Sequence, residues 1–191
     1  MASNYFTDPL VLVIDSVSSL YILAVLLRFL LQWCSAPYYN SISQFLITLT
    51  HPPLKILRRF IPPIGKIDSA SLVLVLSLQM LTNVLILLLN KHTINIGALA
   101  VLSLADLISL SFNIFIFAVF ARAILSWINP GSYDAVSSVL TSLTDPVLNL
   151  CRKFIPIVGG FDLSPLAALL MLQLARMMVL PPFQQLAAIL S

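Results

Sequence analysis

The chain has 191 residues, of which 60% are hydrophobic and only 9% charged, with a net charge of +3 and a mean hydropathy of +1.03. Soluble domains carry about a quarter charged residues, and a soluble fold of this size has no interior able to hide so much apolar surface, so the solvent for most of the chain is lipid. The acidic residues are all Asp, and the basic ones are too few and too dispersed for a nucleic-acid partner.

The N-terminal MASNYFTDP has no Lys or Arg, and the apolar run at about 9–33 is longer than the core of a cleaved signal, so no cleavage is expected and this run is the first membrane span. It closes on Trp33, an aromatic suited to the membrane interface. A loop at 41–62 follows, in which Ile42, Phe45, Leu46 and Leu49 stand at i, i+3, i+4 and i+7. That spacing predicts one apolar stripe on a short helix. Pro52 is expected to interrupt it, since proline lacks a backbone donor and crowds the preceding turn. Leu54, Leu57 and Ile61 then begin a second short amphipathic stretch beside Lys55, Arg58 and Arg59. Pro62 and Gly65 turn the chain, and Asp68 is expected to cap the second span, about 69–90.

The stretch 94–103 reads as an interfacial or tilted lead-in to the third span, about 104–128, with a fifth membrane segment as the alternative. The third span ends on Trp127. In the second loop, 135–156, the pattern returns as Val136, Val139, Leu140 and Leu143, then Pro146, then Leu148, Cys151 and Ile155 beside Arg152 and Lys153. Pro156 and Gly159 turn the chain, and Ser164-Pro165 opens the fourth span, about 164–182. Each span is long enough to cross a hydrocarbon core of roughly 30 Å. Both loops read as amphipathic surface hairpins that pack the spans, against the alternative of re-entrant hairpins lining a path.

A shift of 94 residues lays the chain on itself without a gap. Arg28 to Trp33 falls on Arg122 to Trp127, Thr50-His-Pro52 on Thr144-Asp-Pro146, and Arg58-Arg-Phe-Ile-Pro62 on Arg152-Lys-Phe-Ile-Pro156. Gly65 and Asp68 fall on Gly159 and Asp162, and Gln79 on Gln173. Apolar composition produces chance Leu matches, but it does not align Arg, Trp, Pro, Gly and Asp in register. The expected architecture is therefore an all-α membrane protein with four transmembrane helices in two parallel tandem repeats, 1–93 and 94–191, each helix–amphipathic hairpin–helix.

Six of the ten basic residues, Lys55, Arg58, Arg59, Lys66, Arg152 and Lys153, lie in the two loops. Arg28 and Arg122, one turn before the Trp anchors, are expected to snorkel to the same side. The positive-inside rule then puts both loops in the cytoplasm and both termini outside. Basic residues beside an apolar stripe also suit the headgroups of an anionic leaflet. Within the spans, Asp15, Gln79, Asp106, Gln173 and Arg176 are the polar candidates, because such groups are costly in lipid. Gln79 and Gln173 read as interhelical hydrogen-bonding groups or as part of a polar path. Arg176 is expected to pair with Asp15 or Asp106, which would relieve the cost of all three positions.

His51 and His92 fall on opposite sides of the membrane, so they do not jointly ligate haem or zinc, and no metal or cofactor is expected. Walker A, GxGxxG, HExxH and CxxC patterns are missing, and Cys34 and Cys151 occupy unrelated places in their repeats. No residue group points to catalysis.

The run Arg58-Arg-Phe-Ile-Pro-Pro-Ile-Gly-Lys-Ile-Asp-Ser-Ala-Ser71 and its copy at 152–165, with the upstream Arg28, Gln32-Trp33, Asn40 and Thr50-His-Pro52, resemble the YggT family of bacterial membrane proteins in its two-copy form. The second copy departs from the first with Asp145 where the first has His51. The resemblance implies a multi-pass protein of the bacterial inner membrane, linked with tolerance of osmotic shock and with uptake of potassium or other ions. One-copy chloroplast and cyanobacterial relatives are linked with haem attachment to cytochrome b6 and with nucleoid or division-related organisation. The family lends no catalytic residues. Two readings follow: an ion-homeostasis component using Asp15, Gln79, Asp106, Gln173 and Arg176, or a scaffold whose Lys55, Arg58, Arg59, Arg152 and Lys153 bind anionic lipid or a protein partner. Further copies of the chain are a third class of partner, since four helices make a thin pore.

Overall fold

The computed structural model describes residues 4–65, 67–90, 95–128, 134–154 and 162–190, with side chains from Asp8 onward. Six helices follow one another: α1 Asn4–Trp33, α2 Ser41–Phe60, α3 Ser69–Leu89, α4 Ile96–Ile128, α5 Ala135–Arg152 and α6 Ser164–Leu190. Among the described residues four are long and apolar enough to cross a membrane, at Asp8–Trp33, Ser69–Leu89, Ile96–Ile128 and Ser164–Leu190. They pack in the order α1–α3–α4–α6, while α2 packs on α1 and α3 and α5 on α4 and α6. Each repeat is thus two spans joined by an amphipathic helix, and α3–α4 is the seam between the repeats.

The packed core lies towards the loop side. In α1, Ile22, Val25, Leu26, Phe29, Leu30 and Leu31 are buried, whereas Leu10, Leu12, Val13, Val17 and Leu20 in the other half are exposed. The exposed Leu, Met and Phe side chains of the spans face outward, as a lipid solvent allows. Trp33 and Trp127 are both exposed at the loop-side ends of their helices, which suits interfacial anchors.

Four expectations change. The prolines do not divide the amphipathic segments: α2 runs through Pro52 and Pro53 and α5 through Pro146 as single helices. The turn before each proline receives outside donors, as shown below. The single apolar stripe of α2 is in fact two. Ser43, Leu46, Thr50 and Leu54 are buried against the spans, while Phe45, Leu49, Ile56 and Phe60 are exposed on an adjacent flank. At about 100° per residue, the exposed polar positions Gln44, Thr48, His51, Lys55 and Arg59 fall on a third flank. The helix therefore has one side for protein, one for lipid and one for water.

The third change concerns 94–103. Residues from Ile96 onward are the first turns of α4 itself, a helix of 33 residues. Asn95 starts it by accepting from the Gly97 amide at 2.9 Å, and its amide nitrogen donates to the Leu190 carbonyl at the end of α6. The last turns of α6, which continue through Pro181 and Pro182 past the expected end at 182, therefore accompany the first turns of α4. Fourth, Asp68 occupies the N-cap of α3 without the capping bond to a backbone amide, its carboxylate accepting instead from the Arg58 guanidinium and the Ser71 hydroxyl. The predicted turn residues Pro156 and Gly159, with Ile155, Lys66 and His92, lie outside the described residues.

Between α2 and α3 the chain reverses through paired backbone hydrogen bonds of Ile64 and Ile67, with Gly65 at φ +62°. A side chain there would meet open space, but the backbone is left-handed. Gly65→Ala is expected to lower stability by about 1 kcal/mol, while Gly97→Ala, at an ordinary helical position, is expected to be neutral or mildly stabilising. Thermal unfolding in detergent measures both, and equal effects would remove the left-handed backbone as the reason for Gly65.

Candidate functional site

The bonding that organises the loop side is built twice. Arg28, near the end of α1, is 8% exposed. Its Nη1 donates to the Thr50 hydroxyl at 2.6 Å and to the Ile47 carbonyl at 3.3 Å. Arg122, at the matching place in α4, donates to the Thr144 hydroxyl at 2.6 Å and to the Thr141 carbonyl at 3.5 Å. The two threonines in turn donate to the Leu46 and Leu140 carbonyls, one helical turn back. Each arginine thus donates to the turn that precedes a proline. The snorkelling expectation does not include these bonds, by which Arg28 and Arg122 reach across to α2 and α5.

A second pair of bonds ties the far end of each amphipathic helix to the next span. Arg58 Nη2 donates to Asp68 Oδ2, which also accepts from the Ser71 hydroxyl at 2.7 Å. Arg152 Nη2 lies 2.9 Å from Asp162 Oδ2, and Asp162 Oδ1 accepts from the Ser164 amide at 2.9 Å. Burial alone would push the Asp68 carboxyl up, but hydrogen bonds from Arg58 and Ser71 outweigh it and hold it below the ordinary carboxylate value. Asp162 is held low in the same way, its burial outweighed by the Ser164 and Arg152 bonds. Asn40 and Asp134 start α2 and α5 as matching side-chain caps, accepting from the Ile42 and Ser137 amides at 2.9 Å. Asn40 also donates to the Ala135 carbonyl at 2.7 Å, which joins the two repeats at this level.

Of the basic loop residues, Arg58 and Arg152 are therefore engaged by their own chain. Lys55, Arg59 and Lys153 are exposed and outside the ion pairs of the described residues.

The intramembrane polar residues do not form the predicted constellation. Asp106 accepts from Asn83 at 3.0 Å and from Gln79 at 3.3 Å, and Asn83 also donates to Ser103 at 3.1 Å, so these four close the seam between α3 and α4. Arg176 pairs with neither Asp: its guanidinium donates to Asn113 at 2.8 Å and Ser109 at 3.2 Å, across the α4–α6 contact. Serine and asparagine on the facing helix satisfied it before a carboxylate was needed. Asp15 is exposed and accepts from Ser19 at 3.5 Å. Gln173 is exposed, so its repetition of Gln79 is not matched by a shared environment. Among the described residues no group of three His, Cys, Asp or Glu stands close enough to hold a metal ion.

The sequence reading missed Thr50 and Thr144 as arginine partners. Both lie inside the aligned Thr-His-Pro and Thr-Asp-Pro triplets, and that alignment was the available signal.

These features define a multi-pass helical membrane protein made of two copies of one span–amphipathic helix–span unit, held by a duplicated arginine frame. The chain belongs to the CCB3/YggT family, whose model matches it twice, at residues 7–89 and 101–183. Both ends of the two matches stand at the same 94-residue offset as the internal repeat. A Pseudomonas aeruginosa protein is 41% identical over 170 residues, 88% of this chain and 86% of that protein. YggT of Escherichia coli K12 is 32% identical over 170 residues, 89% of this chain and 88% of that protein. YlmG homolog protein 2, chloroplastic, of Arabidopsis thaliana is 43% identical over 60 residues, 31% of this chain and 24% of that protein. No solved structure matches the chain.

Asp68→Asn is expected to cost about 2 kcal/mol, the size of a hydrogen-bonded charge lost from a buried site, and Asp162→Asn at most about 1 kcal/mol because both partners are partly exposed. Since the folded-state value of Asp68 is depressed, its contribution is complete above the ordinary Asp pKa of about 3.9 and is lost as pH falls through the lower folded value. Melting curves in detergent from pH 7 to pH 3 should show the gap between wild type and Asp68→Asn closing only below about pH 4. A constant gap would mean that the carboxylate charge is not what matters.

Proposed function

We propose that this protein is a non-enzymatic scaffold of the bacterial inner membrane, which holds two amphipathic helices at the cytoplasmic boundary and offers them to anionic lipid or a protein partner. The observation that supports this most is the duplicated frame: the bonds that both repeats share lie on the loop side, at Arg28, Thr50, Arg58 and Asp68 and at Arg122, Thr144, Arg152 and Asp162. The polar groups within the spans are not duplicated in the same way. Lys55, Arg59 and Lys153, exposed beside apolar flanks, are the residues that meet the partner. The excess of basic residues on the loop side supports a cytoplasmic position for it, with both termini periplasmic.

The competing reading, a part in osmotic tolerance and ion homeostasis, draws on one observation. Asp106, Gln79, Asn83 and Ser103 bring oxygen ligands together at the α3–α4 seam, within the spans. Flux of potassium into liposomes containing the purified protein, under an osmotic step, separates the two. The scaffold reading expects no flux above protein-free liposomes. Flux that Gln79→Leu with Asp106→Leu abolishes would overturn it and route ions along that seam.

Orientation has its own test. Cys151 is buried and burial pushes the half-buried Cys34 thiol up, so neither native cysteine is a good probe. In a cysteine-free background, Tyr39→Cys, at a residue 94% exposed, should label from the cytoplasmic side only and Asn90→Cys from the periplasmic side only. The opposite pattern inverts the topology and removes the cytoplasmic partner.

A further inference from the structure

A cavity of about 560 Å³ opens on the loop side of the first repeat, between the end of α1, the 36–38 turn and α2. Its polar wall includes Arg28, Gln32, Tyr38, His51 and the Arg58–Asp68 pair, and its apolar wall includes Leu31 and Ile47. Among the described residues Arg28 has no ion-pair partner. Its two acceptors, the Thr50 hydroxyl and the Ile47 carbonyl, are neutral, and both bonds use Nη1, so Nε and Nη2 keep their donors. The one carboxylate in the wall, Asp68, is held by Arg58 and Ser71. A buried cation with spare donors beside a cavity is costly unless something fills it.

The second repeat shows what satisfies such an arginine. Asp145 stands where the first repeat has His51, and its Oδ1 lies 2.7 Å from Arg122 Nη1. The second copy carries its anion within the chain, and the first has a histidine in its place.

We propose that the cavity of the first repeat binds the phosphate of an anionic phospholipid, with Arg28 and His51 as its donors, and that the second repeat is a copy closed by Asp145. A lipid is favoured over a free phosphate because the wall is largely apolar and lies one turn from the exposed interfacial Trp33. The size is that of an ordinary small-ligand site. The inference stands whether the bundle acts as a scaffold or conducts ions.

The test uses the full chain in neutral detergent, with phosphatidylglycerol, phosphatidylcholine or inorganic phosphate added and retained lipid counted by native mass spectrometry. Wild type should retain one phosphatidylglycerol and release phosphatidylcholine. His51→Asp, which copies the closed repeat and supplies Arg28 with a carboxylate, should weaken phosphatidylglycerol binding by about tenfold or more while melting no lower than wild type. Asp145→His should add a second phosphatidylglycerol. Equal retention by wild type and His51→Asp would overturn the site. Displacement of the lipid by equimolar inorganic phosphate would overturn the lipid as its occupant. An unchanged count in a folded Asp145→His would overturn the closed-copy account.

Discussion

A guanidinium reaching from the end of a span to a threonine and a carbonyl of the helix beside it holds each repeat together. Arg28 makes this contact in the first copy and Arg122 in the second. The arginine reaches the turn that precedes a proline, at the Ile47 carbonyl and Thr50 hydroxyl in the first copy and the Thr141 carbonyl and Thr144 hydroxyl in the second. With α2 and α5 held in this way, the Arg58–Asp68 and Arg152–Asp162 bonds return the chain to the next span at a defined place.

That frame explains why the core is lopsided. Packing is concentrated where spans and amphipathic helices meet, from Ile22 to Leu31 in α1 and from Leu46 to Leu54 in α2, while the first half of α1 is exposed. In a membrane such exposure carries no hydrophobic penalty, so a helix need pack only where specific bonds fix it. The polar groups at Asp106 and Arg176 act as local fasteners between neighbouring helices, each satisfied by amides and hydroxyls from the facing helix.

Duplication has left the frame intact and changed what sits beside it. One position separates the two arginines electrostatically, His51 against Asp145. In the second copy the arginine is neutralised from within, and in the first it faces a cavity. A duplicated unit can keep its architecture while one copy gives up, or takes on, a binding function, because the charge of a single side chain at a buried arginine decides whether the site needs an outside ion.

The sequence alone determined the solvent, the four spans, the repeat and the side on which positive charge collects, since these depend on composition, period and register, which are local properties of the chain. It also marked Arg28, Arg58, Asp68 and their copies as special. Tertiary structure decided their partners. Whether Arg28 bonds α2, whether Pro52 ends a helix or lies within one, and whether Arg176 meets Asp106 or Asn113 depend on which side chains the packing of the helices brings within hydrogen-bond distance. A guanidinium has five donors and several chemically acceptable partners, and only the placement of neighbouring helices selects among them.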